Sequence, residues 1–169
     1  MGCVIGVIPA RWASTRFPGK LLADLRGRPV LQWTWERALG ARSLDRLVIA
    51  AADERIAEAA RGFGAEVVEV FEDCPSGSDR VWLAAERLNC QEGLTFIVNV
   101  QGDEPFIDPA VIDAVVARLG DDPEAGVATA VTPIRSREEF ENPSVVKVVL
   151  DLADRVLYFS RAPVPHGLS

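Results

Sequence analysis

The sequence predicts an α/β fold, a doubly wound and mostly parallel sheet with a smaller mixed-sheet extension. Two observations predict it. Short runs rich in Val and Ile alternate with stretches whose apolar residues recur at helical spacing, and beyond Gly126 this alternation gives way to strands with less helix between them. Strand–helix–strand repetition demands crossovers, and crossovers make parallel sheets with helices on both faces.

Taken in order, Cys3–Pro9, Leu47–Ala51, Glu66–Val70 and Thr95–Val100 read as strands, being short and β-branched. Between them, Val30–Leu39, Glu54–Arg61 and Arg80–Leu88 read as helices, and Asp108–Leu119 follows. In that last helix Asp108 suits the N-cap, Pro109 the first turn and Gly120 the stop. In the extension, Val127–Val131, Val145–Leu150 and Val156–Phe159 read as strands. No repeat, low-complexity tract or clear linker interrupts the chain, so one domain spanning residues 1–169 is expected, with a change of character near residue 126.

Composition narrows the function classes. The formal net charge of -7 and pI near 4.8 argue against general nucleic-acid binding, which needs a basic surface to neutralise phosphates. A few converging cations still suffice for one nucleotide. Cys3, Cys74 and Cys90 show no metal-like spacing with the single histidine, His166, and read as small hydrophobes in a reducing compartment. The apolar run Cys3–Pro9 is too short to span a bilayer and no basic stretch precedes it, so a cytoplasmic protein with no membrane insertion is expected.

In doubly wound sheets ligands bind beyond the carboxyl ends of the strands, near a topological switch point. That rule directs attention to the loops after Ile8 and Val100. The first, PARWASTRFPGK (Pro9 to Lys20), carries three cations, Arg11, Arg16 and Lys20, and two hydroxyls, Ser14 and Thr15. Gly19 permits unusual backbone angles, and Pro18 stiffens the turn. This set suits a polyphosphate, although it matches neither a Walker A nor a G-x-G-x-x-G pattern, and a solvated basic loop is the plainer alternative.

NVQGDEPF (Asn99 to Phe106) lies on the same sheet edge. Asp103 suits a magnesium ion, which binds through few carboxylates together with substrate phosphates; the alternative is a turn in which Asp103 satisfies backbone N–H groups. Gly102 lets the backbone turn closely beneath a ligand, Gln101 offers a donor and an acceptor to a sugar or base, and Glu104 is free to face solvent. In CPSGSDR (Cys74 to Arg80), Ser78 suits the helix cap and Gly77 a close approach to a ligand; recognition of a pyrimidine edge by Ser76, Ser78 and Arg80 is the functional alternative.

The blocks PARWASTRFPGK, CPSGSDR, NVQGDEP, NPSVVKVVLD and LYFSRAPVP occur in the order and spacing of the CMP-Kdo synthetase (3-deoxy-manno-octulosonate cytidylyltransferase) family, from Val4 to about Pro165. The resemblance implies a nucleotidyltransferase-type fold, with Mg2+ as cofactor and CTP and Kdo as substrates, serving lipopolysaccharide biosynthesis. It places Ala10, Arg11, Ser14, Thr15, Arg16 and Lys20 at the nucleotide, Ser76, Ser78 and Arg80 near the cytosine, and Gln101 and Arg161 near the sugar acid. Asp103 matches a magnesium carboxylate, and Arg11, Lys20 and Asp103 form the catalytic set. CTP binding falls to about residues 1–125, and sugar-acid binding and dimerisation begin in about 126–169. Cys74 and Ser78 stand where the family commonly has histidine and threonine. Family members continue past LYFSRAPVP into a portion with a second metal aspartate and much of a homodimer contact, so CTP binding with poor turnover is expected of these 169 residues alone. Alternative readings are a related enzyme for sialic acid or an aminated Kdo, or a non-catalytic nucleotide-binding fragment.

Overall fold

A computed structural model describes residues 3–13, 17–88 and 94–165, which form two compact units, 1–128 and 129–169. In the first unit, β1 (Cys3–Ala10), β4 (Arg46–Ala51), β5 (Glu66–Glu69) and β6 (Leu94–Asn99) make a parallel sheet in the order β5-β4-β1-β6. The chain therefore winds outward from β1 through β4 to β5, then returns to the other side of β1. Because crossovers between parallel strands are right-handed, this reversal sends the connecting helices to opposite faces.

The strand registers show how the core is divided. Val7 lies beside Val48 and Ile8 beside Ile49, so alternate residues of paired strands share a face. Ile5, Val7, Val48 and Ala50 point to the side of α3 (Gly77–Arg87), where they pack with Val81 and Ala84. Ile8, Ala10, Leu47, Ile49 and Ala51 point to the opposite side. There they meet Leu31 and Ala38 of α1 (Val30–Ala38), Ile56, Ala57 and Ala60 of α2 (Glu54–Gly62), and Ile112 of α4 (Pro109–Gly120). The doubly wound arrangement is thus present, with all four expected strands and helices within a few residues of their expected bounds. Asp108 caps α4 by accepting the Ala110 N–H, with Pro109 in its first turn; Gly120 is the last helical residue, and Asp121 follows it.

Several short elements have no counterpart in the sequence analysis, among them a hairpin before α1, the 3-10 helix Lys20–Leu22 and the helix Arg137–Glu141. Residues Asp24–Leu25 (β2) and Arg28–Pro29 (β3) form a tight hairpin leading into α1. Its two turn residues, Arg26 at φ 56° and Gly27 at φ 85°, are both left-handed, as a two-residue turn matched to strand twist requires. Arg-Gly is a weaker signal for such a turn than Asn-Gly, and two-residue strands leave no periodicity to detect.

In the second unit, α5 (Arg137–Glu141) is capped by Ser136, and β7 (Lys147–Leu150) pairs antiparallel with β8 (Val156–Ser160). The small sheet expected of the extension is this antiparallel pair. Val127–Val131, expected as a strand, takes no regular secondary structure. Its β-branched composition favours a strand, but pairing needs a neighbour, and among the described residues none offers a ladder. Lys147 is fully buried, and its ammonium donates to the carbonyls of Asn142, Val145 and Arg161 at 2.7–2.8 Å. All three of its donors are thereby satisfied, which burial of a charge demands.

Asp151 closes the β7–β8 turn: its Oδ1 accepts the N–H groups of Arg155 and Ala153, each at 2.8 Å. These bonds, the Arg155 N–H first, hold its carboxyl below the ordinary aspartate pKa. A folded-state pKa below the unfolded value adds stability above the unfolded pKa, and that stability is lost as pH falls through the folded pKa. Asp151→Asn should therefore loosen the hairpin at pH 7, with the difference from the parent vanishing once acid has protonated Asp151. Amide chemical shifts of Ala153 and Arg155 followed through an acid titration will show this.

Candidate nucleotide site at the carboxyl ends of β1 and β6

The first loop leaves β1 at Ala10 and is held by Trp12. The Trp12 N–H donates to Asp53 Oδ2 at 2.8 Å, and its carbonyl accepts the Gly19 N–H at 3.0 Å. Gly19 sits at φ 72°, and a Cβ there would lie 2.7 Å from the Trp12 ring, so both the left-handed backbone and the close packing require glycine. The Arg55 guanidinium covers the indole at 5.0 Å. Asp53 has a second task, since its Oδ1 caps α2 by accepting the Ile56 N–H. One carboxylate thus starts a helix and anchors the loop across 41 residues of sequence. Trp12 and Asp53 were not among the predicted residues; Asp53 before an apolar-periodic run is a cap signal, but its second partner is a long-range contact no local pattern carries.

Gly19 is followed by a short 3-10 helix, Lys20–Leu22, which carries Lys20 toward the loop after β6. Lys20 Nζ donates to Asp103 Oδ2 at 2.7 Å, with the two side chains 44% and 43% exposed. An ion pair this open contributes about 0–1 kcal/mol at most. It brings two predicted residues together without locking either in place. Ser14, Thr15 and Arg16, predicted at the phosphates, and His166 lie outside the described residues.

After β6 the chain keeps its β1 pairing for one more step, Val100 N–H to the Val7 carbonyl, and turns with Glu104 N–H on the Gln101 carbonyl. Gly102 is buried where a Cβ would sit 3.3 Å from the Pro9 carbonyl oxygen and from Ile8 Cγ2. The close approach expected of Gly102 is therefore to the end of β1 rather than to a ligand. Gln101 and Glu104 are exposed, and the Gln101 amide donates to Asn99 Oδ1 at 3.0 Å.

In the third loop the helix cap is Ser76, a correction to the expected Ser78. Ser76 has extended backbone angles, accepts the Asp79 N–H on its hydroxyl and donates its own N–H to the Asp79 carboxylate, a full capping box. Ser78 already lies inside the first turn, where a side chain cannot reach back to the free N–H groups. Gly77 sits beside the Pro9 ring, to which a Cβ would come within 3.5 Å. Arg80 is buried, and its guanidinium donates to the carbonyls of Val70 and Glu72. It ties α3 to the end of β5.

These loops enclose a cleft of about 150 Å³ walled by Pro9, Ala10, Arg11, Cys74, Ser76, Gly77, Arg80 and Gln101. It assembles five of the predicted nucleotide and substrate residues, Ala10, Arg11, Ser76, Arg80 and Gln101; Ser78 is not part of its wall. Arg11 and Arg80 also border a larger cleft of about 610 Å³, with Trp12, Asp53, Arg55 and Phe71. The small cleft is below the size of a whole-ligand pocket, so it suits one ring of a larger ligand, with the remainder along the sheet edge. Arg161 belongs to the second unit, where its Nη1 donates to the Pro143 carbonyl at 3.1 Å.

Among the described residues no group of three His, Cys, Asp or Glu side chains stands together as a ready-made metal cage. A single exposed carboxylate of oxygen donors fits an ion that arrives with phosphates, as magnesium does, and does not fit a zinc-type closed site.

Fold and site define an α/β protein of the doubly wound class, with a cleft bordered by Arg11 and Arg80 beside the point where the winding reverses. The cytidylyltransferase family model matches residues 5–169, and the chain belongs to that family. It is 51% identical over 165 residues to the 3-deoxy-manno-octulosonate cytidylyltransferase of Chromohalobacter salexigens, covering 98% of this chain and 63% of that protein. A CMP:2-keto-3-deoxy-manno-octonic acid synthetase solved with CTP superposes with a TM-score of 0.84 at 37% identity, covering 97% of this chain and 66% of that one. A more distant Mycobacterium tuberculosis protein, solved with manganese, matches at 27% identity and a TM-score of 0.52 over 70% of this chain and 59% of its own. Relatives of this fold thus include one with a divalent metal. The chain spans 54–64% of the length of curated relatives such as these. Among the described residues no helix is long and apolar enough to cross a membrane.

Because Arg80 is buried on two carbonyls, Arg80→Met should strip the Val70 carbonyl of its Arg80 donor, leave the Glu72 carbonyl with the weak Cys74 thiol, and destabilise the first unit by about 2 kcal/mol. Urea unfolding followed by tryptophan fluorescence will measure the loss.

Proposed function

We propose that this chain contributes the CTP site of a cytidylyltransferase that transfers CMP from CTP to Kdo and releases pyrophosphate. The observation that carries the reading is the cleft joining Ala10, Arg11, Ser76, Arg80 and Gln101 on the sheet edge that also holds Lys20 and Asp103. Its support from relatives is the CTP complex of the synthetase that this chain matches over 97% of its length.

In this reading the cytosine enters the small cleft. Ser76 and the Arg80 donors left over from the Val70 and Glu72 carbonyls read its polar edge. Arg11, Ser14, Thr15, Arg16 and Lys20 bind the phosphates, and Gln101 and Arg161 the sugar acid. The anomeric hydroxyl attacks the α-phosphorus in line, the bond to the β-phosphate oxygen breaks, and pyrophosphate leaves. Such transfers depend on positioning and charge neutralisation rather than covalent help. Arg11 and Lys20 stabilise the charge that grows on the leaving group.

Asp103 is the residue that would hold Mg2+, which supplies charge neutralisation at the phosphate oxygens. Lys20 is then free to leave Asp103 for a phosphate, a small step because their ion pair is exposed. Residues up to about 125 serve CTP, and those from about 126 begin the sugar-acid and dimer part. The same reading assigns the product to lipopolysaccharide biosynthesis in the cytoplasm, and a homodimer to the longer proteins.

Titration calorimetry with CTP, UTP, ATP and GTP tests the assignment: CTP should bind best, with equal affinity for all four sinking the cytosine site. Asp103→Asn should weaken CTP binding in the presence of Mg2+ by about tenfold, or roughly 1.4 kcal/mol, and leave the fold intact. Unchanged binding would return Asp103 to the role of a turn residue.

A further inference from the structure

We infer that Thr34, on the helix behind the site, is a positioning residue for Asp103, locking the Gly102–Asp103 peptide in the one orientation that presents the carboxylate; the inference rests on Asp103 as the metal residue. Thr34 lies with Leu31 and Ala38 on the buried face of α1, is 0% exposed, and is the single polar residue on that face. Valine has nearly the same shape, so packing alone does not call for a hydroxyl there. The hydroxyl is 3.3 Å from the Val30 carbonyl of its own helix and 3.0 Å from the Gly102 carbonyl, 68 residues away. With one proton to donate, it serves the nearer acceptor, a buried carbonyl that water does not reach.

A peptide group is planar, so fixing the Gly102 carbonyl also fixes the Asp103 N–H and the direction in which Asp103 leaves the backbone. Gly102 has no Cβ to resist rotation, and one added there would crowd the end of β1 at 3.3 Å. Backbone freedom is therefore greatest at the residue before the carboxylate, and the Thr34 hydroxyl removes it. The Lys20 ion pair at the tip of Asp103 is too exposed to impose the same constraint.

Three versions of the chain, parent, Thr34→Val and Thr34→Ser, are titrated with CTP with and without Mg2+, and their thermal unfolding is recorded. Thr34→Val should bind CTP without Mg2+ as the parent does, and lose about fivefold of the gain in affinity that Mg2+ confers. Thr34→Ser keeps the hydroxyl and leaves a methyl-sized void, so it should unfold at lower temperature yet retain the full Mg2+ gain. That crossing of effects separates positioning from bulk stability. A Thr34→Val chain with the parent's Mg2+ gain, or a Thr34→Ser chain that loses it, overturns the inference alone. A parent that gains nothing from Mg2+ overturns the reading of Asp103 and this inference with it.

Discussion

The handedness of three crossovers governs everything else in the first unit. Starting from β1, right-handed connections to β4 and β5 put α1 and α2 on one face, and the return to β6 puts α3 on the other. The loops after β1 and β6 are then neighbours at the point where the winding reverses. Lys20 and Asp103, 83 residues apart in sequence, meet there because the strands that deliver them are hydrogen-bonded side by side.

Strands deliver the loops, but other contacts shape them. Asp53 holds the first loop at the Trp12 N–H, Gly19 closes it against the Trp12 ring, and Thr34 holds the second loop at the Gly102 carbonyl. The Asp53 and Thr34 contacts each run from the cap or body of a helix to an irregular backbone group that has no ladder partner of its own. The backbone's need for partners is thereby met from within the fold, while the side chains of Lys20, Asp103 and Gln101 bond to other side chains at the loop surface.

Buried charge follows one pattern in both units. Arg80 and Lys147 are fully or nearly enclosed, and each gives its donors to backbone carbonyls. A cation among carbonyl dipoles at the ends of strands and helices fastens several segments at once. Removing it takes a donor from several carbonyls at once rather than from one opposing charge. In Arg80 this architectural duty coexists with a place in the cleft wall, so its two roles have to be separated by measuring stability and base preference together.

The sequence by itself determined the elements whose signal is local. Runs such as Ile5–Ile8 and Leu47–Ala51 are apolar on both faces, and α2 and α4 carry their own caps and periodicity, so strands, helices and winding were legible without contacts. The cations of the first loop and Asp103 were legible as well, because residue type and place at a strand end suffice to nominate them. Tertiary structure alone decided which nominations came together. It made Ser76 rather than Ser78 the cap, turned the Gly102 approach toward β1, and denied Val127–Val131 a ladder. It also recruited Trp12, Asp53 and Thr34 to hold the loops. The physical reason is range: periodicity and capping act over a few residues, whereas an irregular loop is held by partners dozens of residues away that become neighbours only when the sheet has formed.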